Sequence, residues 1–251
     1  MVYQGILLAK YMRYFYPLYP ILCAFAGLFT FETTDLFKRK NKILGGLISV
    51  LLIVIIFIWP LSFTAIYLRP HSRIIASQWI YQNIPPGAKI TSEEWDDGLP
   101  LGIPGYQSLK YTNIPLGLYN TENLEKWQRI TQEIIEADYI IMSSNRLFDS
   151  IPKLPERYPV ASLYYQLLFK EKLGFRKVAE ITSYPCFPPI TKPLFCLNDS
   201  SAEESFTVYD HPKIAIFKKE NFSRDLLQPF LDQKLINQAR YVNPAETNRL
   251  F

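Results

Sequence analysis

Four carboxylates crowd into residues 93–97, and these side chains are the best suited to chemistry in the chain. They are Glu93, Glu94, Asp96 and Asp97, which surround Trp95 at the end of a predicted strand. Clustered oxygens suit a metal ion or a cationic substrate, but a solvated loop with Trp95 packed beneath it has the same pattern. Both interpretations stay open. If the domain caps a catalytic pocket, residues 94–97 are the first candidates to contact an acceptor or a sugar phosphate.

A second group of polar side chains follows a long apolar stretch. Arg69, His71 and Arg73 could together bind a lipid phosphate, and anchoring at the membrane interface is the alternative. The other histidine of the chain, His211, lies in a predicted turn. A histidine-rich metal site is therefore not predicted, and the sequence leaves metal dependence and cofactors unknown.

Two cysteines bracket a proline-rich loop. Cys186 and Cys196 enclose CFPPITKPLFC, and an oxidising compartment would permit a disulfide between them, although the prolines could also hold the sulfurs apart. No phosphate-binding glycine loop, Ser-His-Asp pattern or Cys-x-x-Cys pair is present in the sequence. We therefore assign no catalytic residue from motifs.

Two apolar stretches decide the class of the protein. Residues 43–68 carry no charge, and about 20 such residues in a helix cross a bilayer. Residues 14–31 are also uncharged, with tyrosines at one end as in an interfacial aromatic belt. We predict two transmembrane helices.

The charges between the two spans indicate their orientation. Residues 32–42 contain a cluster of basic side chains, which the positive-inside rule places in the cytoplasm. Scattered positive residues flank the other ends, at Lys10, Arg13, Arg69 and Arg73, and we give the cluster greater weight. This predicts a multi-pass protein of the inner or plasma membrane whose polar domain lies outside the cytoplasm.

The polar remainder alternates between helical and strand patterns. Helices are predicted at 71–83, from an N-cap at Thr121, and at 160–172 before Gly174; strands are predicted at 88–92, 138–144 and 176–183, with a hairpin of 205–209 and 213–218. The fold class is thus two transmembrane helices followed by an extracytoplasmic α/β domain with a mixed sheet.

The predicted organisation has three parts. Residues 1–68 form the membrane part, 69–220 the α/β domain, and 221–251 an amphipathic helix and tail that packs on the domain. The net charge of +4 is mild, and no basic stretch is interleaved with aromatics. Nucleic acid is therefore excluded as a partner, whereas the lipid bilayer is predicted as one.

Five segments together resemble part of a known family. They are residues 10–20 (KYMRYFYPLYP), 76–87 (ASQWIYQNIPPG), 94–101 (EWDDGLPL), 137–146 (ADYIIMSSNR) and 204–213 (ESFTVYDHPK). The first is similar to a late transmembrane helix, and the others to the outer domain, of bacterial GT-C type glycosyltransferases that depend on polyprenyl phosphate. These enzymes are related to protein O-mannosyltransferases and lipid A aminoarabinose transferases.

The resemblance implies a glycosyltransferase function but extends to only part of such an enzyme. It covers the C-terminal part of the family's architecture, whereas the family's catalytic acid lies in an early outer loop that nothing here matches. The expectation is the C-terminal segment of a membrane glycosyltransferase, not catalytic alone, with the polyprenyl-phosphate sugar and the missing N-terminal spans as partners. The alternative is a small two-span membrane protein whose outer domain binds a partner or ligand without catalysis.

Overall fold

The computed structural model describes residues 12–106 and 110–240. After a 3-10 helix at Met12–Leu18, its helices are α1 (Tyr19–Lys40), α2 (Lys42–Tyr67), α3 (Ser72–Asn83), α4 (Leu124–Glu136), α5 (Pro159–Phe169), α6 (Glu204–Thr207) and α7 (Gln233–Ile236). Its strands are β1 (Lys89–Glu93), β2 (Thr112–Leu116), β3 (Tyr139–Met142), β4 (Phe175–Ile181), β5 (Cys186–Phe187), β6 (Phe195–Cys196) and β7 (Ile214–Lys219).

The chain folds as two compact units. Unit 1 consists of the residues up to Arg69 together with Tyr184–Phe206, and unit 2 of Pro70–Ser183 and the residues from Thr207 onward. This differs from the sequence-based division at 68 and 220 in two ways. Residues 184–206 belong with the long helices, and the described residues after 220 belong with the α/β fold.

Helices α1 and α2 of unit 1 form a tight helical hairpin. Asn41 separates them with an extended backbone, and its side chain accepts hydrogen bonds from the N–H groups of Ile43 (2.9 Å) and Leu44 (3.3 Å). A Cβ on Gly45 would clash with Lys38, so a glycine permits the close approach of the helices. Residues 32–42, which separate the two predicted spans, remain helical except Asn41.

Both helices are long and apolar enough to cross a membrane. Helix α2 has 26 residues, or about 39 Å at 1.5 Å per residue, against a hydrocarbon core of about 30 Å. Most large apolar side chains of α1 and α2 are exposed, as is typical of helices that contact lipid. The predicted spans 14–31 and 43–68 largely coincide with these helices, although the first begins within the 3-10 helix.

Unit 2 is built on a five-stranded mixed sheet. The strand order is β2-β1-β3-β7-β4; β1 is parallel to β2 and β3, whereas β7 is antiparallel to β3 and β4. Strand β3 is apolar throughout and buried on both faces, because helices cover both faces of the sheet. The predicted α/β domain with a mixed sheet is therefore correct.

Two cores lie on opposite faces of that sheet. Helix α3 packs on one face through Ala76 and Ile80. Helices α4 and α5, together with the C-terminal 3-10 helix Arg224–Leu231, pack on the other face. Phe230 of that 3-10 helix is fully buried and lies 5.3 Å from the ring of Trp127, centroid to centroid. The C-terminal segment thus packs on the domain, as the sequence predicted, but as two short helices.

Three local predictions need correction. The N-cap of α4 is Asn123, which accepts from the N–H of Lys126, and not Thr121. Residues 205–209 do not form a strand, because the chain there turns after the short helix α6, and β7 pairs with β3 and β4 instead. Strand β2 was missed within a predicted loop. Gly174 does follow α5, with a left-handed backbone (φ +70°) that suits glycine.

A polar cluster is buried beneath α4, and we call it the sealed cluster. Glu122 accepts from the Lys126 ammonium (3.1 Å), from the Trp127 indole N–H (2.6 Å) and from the Ala161 N–H (3.3 Å). The Lys126 ammonium also donates to the carbonyls of Leu118 and Asn120. The side chains of Glu122 and Lys126 are 0% and 3% exposed. Burial lowers the pKa of Lys126, and the Glu122 carboxylate opposes that shift.

Candidate functional site

The carboxyl ends of β1 and β3 create a natural site for a ligand. From β1 the chain moves to β2 on one side and then crosses to β3 on the other, so β1 lies at the point where the strand order reverses. Ligands of open α/β sheets bind beyond the carboxyl ends of strands at such a point. The loops that follow β1 and β3, residues 94–98 and 143–146, extend from this edge.

Asp96 is the fixed anion of this edge. Its side chain is 2% exposed, and its carboxylate accepts from the Arg73 guanidinium (2.5 Å) and from the hydroxyl of Ser144. Arg73 lies in the first turn of α3 and also donates to the Asp97 carboxylate (2.8 Å) and the Ser143 carbonyl (3.2 Å). The loops after β1 and β3 are therefore held to α3 by charge-assisted hydrogen bonds.

Arg146, in the loop after β3, contacts two aromatic residues at this edge, Trp95 and Tyr209. The Arg146 guanidinium donates to the Trp95 carbonyl (2.6 Å) and lies 5.5 Å from the ring centroid of Tyr209. The side chains of Trp95 and Tyr209 are largely exposed, with relative exposures of 70% and 69%. The expectation that Trp95 packs beneath the carboxylate loop is wrong, because Trp95 is exposed. Its backbone is left-handed, with a φ of +76°.

These side chains surround a cavity of about 230 Å³ in unit 2, which we call the edge cavity. Its lining residues combine opposite charges with aromatic rings: Arg73, Trp95, Asp96, Asp97, Arg146 and Tyr209. The left-handed conformation of Trp95 is costly for a bulky residue, and such strain is concentrated at functional sites. The arrangement provides fixed hydrogen-bonding groups beside exposed aromatic rings, which can bind a polar ligand that also has apolar faces.

Glu93 is the most strongly perturbed acid near the cavity. It ends β1, is 2% exposed, and accepts a hydrogen bond from the Tyr165 hydroxyl (2.6 Å). Its other oxygen, Oε2, has no hydrogen-bond partner among the described residues. Burial raises the pKa of Glu93 to about 8; the Tyr165 hydrogen bond opposes this shift, and the nearby charge of Asp96 adds to it. The carboxyl group is therefore largely protonated at pH 7.

The structure separates the residues that the sequence grouped together. Of the predicted substrate-binding residues, Trp95, Asp96 and Asp97 line the edge cavity, whereas Glu94 does not and its carboxylate accepts from the Asn120 amide (3.3 Å). Of the four carboxylates, Glu93 is thus buried, Asp96 and Asp97 line the edge cavity, and Glu94 binds the Asn120 amide.

The residues of the predicted lipid-phosphate group belong to different units, and each has partners within its own unit. Arg69 belongs to unit 1, where it donates to the carbonyls of Ala65 and Tyr184. The His71 ring caps α3 by accepting from the Arg73 N–H. Arg73 itself is engaged by the two aspartates of the edge cavity. Each of the three side chains therefore has its own partners within the protein.

A cation at residues 93–97 finds no support in the structure. Among residues 12–106 and 110–240, no group of three or more His, Cys, Asp or Glu side chains could hold a metal ion. The physical reason lies in Arg73, whose guanidinium already pairs with both aspartates that a cation would need. In unit 1, Cys186 and Cys196 are joined as a disulfide.

Sequence reasoning missed Arg146 and Tyr209, which complete the edge cavity. Arg146 follows a buried apolar strand after two serines and an asparagine, and polar residues at the end of a parallel strand are a usable signal. Tyr209 has no comparable signal, because it reaches the cavity from a turn far along the chain.

Comparison with known proteins found no matching family model, no matching curated protein and no matching solved structure.

Proposed function

We propose that this chain is the C-terminal part of a membrane glycosyltransferase that uses a polyprenyl-phosphate donor, and that its α/β unit binds a saccharide at the edge cavity. The edge cavity is the observation that supports this proposal most strongly. The five segments of family resemblance add to it, and three of the six lining residues lie in one of them, at 94–101.

The lining of the cavity suits a sugar in three ways. A sugar ring has apolar C–H faces, which can stack on exposed aromatic rings such as those of Trp95 and Tyr209. Its hydroxyl groups both donate and accept, so they can pair with the carboxylate of Asp97 and with arginine. The side chain of Asp97 is 74% exposed, so a ligand can reach it. A small number of placed polar groups in a partly apolar cavity is typical of sites for small molecules.

Arg146 extends the site toward a phosphate. One of its N–H donors binds the Trp95 carbonyl, and a guanidinium has five donors in a planar fork that matches phosphate oxygens. A sugar phosphate could therefore place its ring against an aromatic side chain and its phosphate against Arg146. This assigns binding and orientation of the donor or acceptor to the cavity, not bond cleavage.

The membrane part of the proposal depends on α1 and α2. Both helices are long and apolar enough to span, and the basic residues 38–42 are concentrated near the connection between them. We place this connection in the cytoplasm under the positive-inside rule. The α/β unit then lies outside the cytoplasm, where an oxidising environment would sustain the disulfide of unit 1.

A binding protein without catalysis is the second candidate, and one observation favours it. Asp96, the buried carboxylate of the cavity, is already bound to Arg73 and Ser144. A general acid or base must be able to exchange a proton with the substrate, whereas both oxygens of Asp96 already accept hydrogen bonds within the protein, Oδ1 from Arg73 and Oδ2 from Ser144. Asp96 is therefore better suited to hold the cavity in shape than to transfer a proton, which favours binding without catalysis.

A flotation assay tests saccharide binding. Liposomes that carry a polyprenyl-phosphate hexose should bind the full chain in nanodiscs, whereas liposomes with polyprenyl phosphate alone should bind it more weakly. Arg146→Ala should reduce binding at least about tenfold, the equivalent of about 1.4 kcal/mol. Arg157→Ala is the matched control, because Arg157 stacks on Tyr158 outside the cavity. Equal binding by the two variants would refute the site.

A genetic observation separates the two candidate functions. An open reading frame directly upstream that encodes an acidic outer loop and several more spans supports the glycosyltransferase, and coexpression of both parts should restore transfer. Transfer of sugar by the chain alone would show that the assignment of binding without chemistry is wrong.

A further inference from the structure

Unit 1 contains an apolar loop that neither saccharide binding nor the helical hairpin explains. Residues 186–196, which we call the disulfide loop, begin and end in the paired strands β5 and β6, and the disulfide closes them. Leu194, Ile190 and Phe195 are exposed, with relative exposures of 82%, 61% and 39%. The loop contains no acidic residue, and its single charge is Lys192.

The loop has a defined shape although it has little core of its own. Cys186 pairs with Cys196, and Phe187 pairs with Phe195, in antiparallel register. The rings of Phe187 and Phe195 lie 5.9 Å apart, centroid to centroid. The covalent link and the short ladder hold the loop together, so its apolar side chains need not turn inward. Exposed apolar side chains grouped on one small loop indicate contact with an apolar partner.

Both ends of the segment 184–206 are attached to the last turns of α2. At one end, the Arg69 guanidinium donates to the carbonyl of Tyr184, two residues before the loop. At the other end, the ring of Phe206 lies 5.5 Å from that of Phe63 in α2. Arg69 is the first charged residue after the apolar run of α2, and such a residue marks the boundary between hydrocarbon and headgroups.

We propose that the disulfide loop inserts its apolar side chains into the bilayer interface beside the end of α2. This inference rests on the part of the proposed function in which α1 and α2 cross a membrane, and it is independent of saccharide binding. Strand β5 of the loop packs close to α2, most of whose large apolar side chains are exposed along the helix. A lipid surface would cover both, and the charge of the exposed Lys192 suits anionic headgroups.

The loop would therefore act as a second membrane contact for unit 1. Anchors at two places restrict rotation of a helix more than one anchor does, because each extra contact removes a degree of freedom. The prolines at 188, 189 and 193 favour this use, since they limit the backbone conformations of residues 188–194, which lie between the two short strands.

Quenching of tryptophan fluorescence by brominated lipid tests the insertion. Leu194→Trp is expected to fold, because this side chain is the most exposed of the loop's large apolar residues. The full chain is reconstituted in phosphatidylcholine and phosphatidylglycerol vesicles, with or without bromine near the carbonyl end of the acyl chains. We expect the fluorescence added by Leu194→Trp to fall at least about twofold in the brominated vesicles. Ser201→Trp, an exposed position of unit 1 outside the loop, should change little.

The native Trp59 of α2 separates this inference from the membrane proposal itself. The fluorescence of Trp59 is the difference between the wild type and Trp59→Phe. Quenching of this fluorescence reports insertion of α2 into the bilayer. If Trp59 is quenched and neither Leu194→Trp nor Ile190→Trp is, the loop does not contact lipid and the inference is overturned. If Trp59 also escapes quenching, the membrane-spanning proposal fails with it. The indole of Leu194→Trp could instead become shielded as the protein concentration rises, without quenching by lipid. This result would mean that the loop contacts a second copy of the chain, and it would also overturn the inference.

Discussion

The sealed cluster and the edge cavity use the same kinds of side chain for opposite purposes. In the sealed cluster, both carboxylate oxygens of Glu122 and the ammonium of Lys126 are satisfied within the protein, and both side chains are buried. At the edge cavity, Arg73 joins a buried carboxylate, Asp96, to an exposed one, Asp97. The difference teaches that a charged group indicates a binding site when its network is open on one side, not merely when it is buried.

The strongest contrast should appear in stability. Glu122→Ala leaves the Lys126 ammonium buried without its counter-charge, which should lower the free energy of unfolding by about 3–5 kcal/mol. Asp97→Ala removes a largely exposed carboxylate and should cost less than about 1 kcal/mol. Chemical denaturation of the full chain in detergent, followed by near-UV circular dichroism, measures both values. Equal losses for the two variants would remove the distinction between the clusters.

Glu93 provides a second contrast, because it is buried without a basic partner. Its folded pKa of about 8 lies above the usual 4.5 of a glutamate, so the folded state holds the proton more tightly than the unfolded state. This contribution to stability is complete below about pH 4.5 and is lost as the pH rises toward 8. Between pH 5 and 7.5 the loss should be about 3 kcal/mol.

Glu93→Gln tests that pH dependence. The amide cannot ionise and still offers an oxygen to the Tyr165 hydroxyl, so stability should vary less between pH 5 and 7.5 than in the wild type. Thermal unfolding of both proteins across this range is the measurement. An unchanged slope in the variant would show that Glu93 does not hold its proton more tightly in the folded protein.

The smallest expected effect concerns the backbone of Trp95. Glycine adopts a φ of +76° without the steric cost that tryptophan incurs there. Trp95→Gly should therefore stabilise the protein by about 0.5–1 kcal/mol while it weakens saccharide binding. Differential scanning fluorimetry at matched detergent concentration detects the shift. A clear loss of stability would mean that the indole packs on the fold and is not held for a ligand.

The regular parts of the fold were predictable from local patterns. Helix α3, strand β1 and strand β3 follow the expected positions closely, because their apolar periodicity and flanking turn residues agree. Strand β2 was missed because it lies at the edge of the sheet, follows a segment rich in Gly and Pro, and contains Pro115. An edge strand tolerates proline where a central strand does not, so its sequence does not differ clearly from that of a loop.

The site was only half predictable, for a topological reason. Residues 94–97 can be identified from their acidic composition, and the sequence indicates that they follow a strand. Arg146 joins them because β1 and β3 lie side by side and in parallel, and Tyr209 because β7, which follows it, pairs with β3; both pairings join segments far apart in the chain. Local patterns carry no information on these pairings. Arg73 was consequently assigned to a lipid phosphate and not to the two aspartates that it binds.

Saccharide binding at the edge cavity is the central claim, and an affinity ratio tests it most directly. The dissociation constant of a soluble short-chain polyprenyl-phosphate hexose is measured by calorimetry for the wild type and for Trp95→Ala. We predict an affinity at least about tenfold weaker in the variant, with unfolding unchanged within about 0.5 kcal/mol. An unaltered dissociation constant, or the absence of binding by the stably folded wild type, would contradict the account.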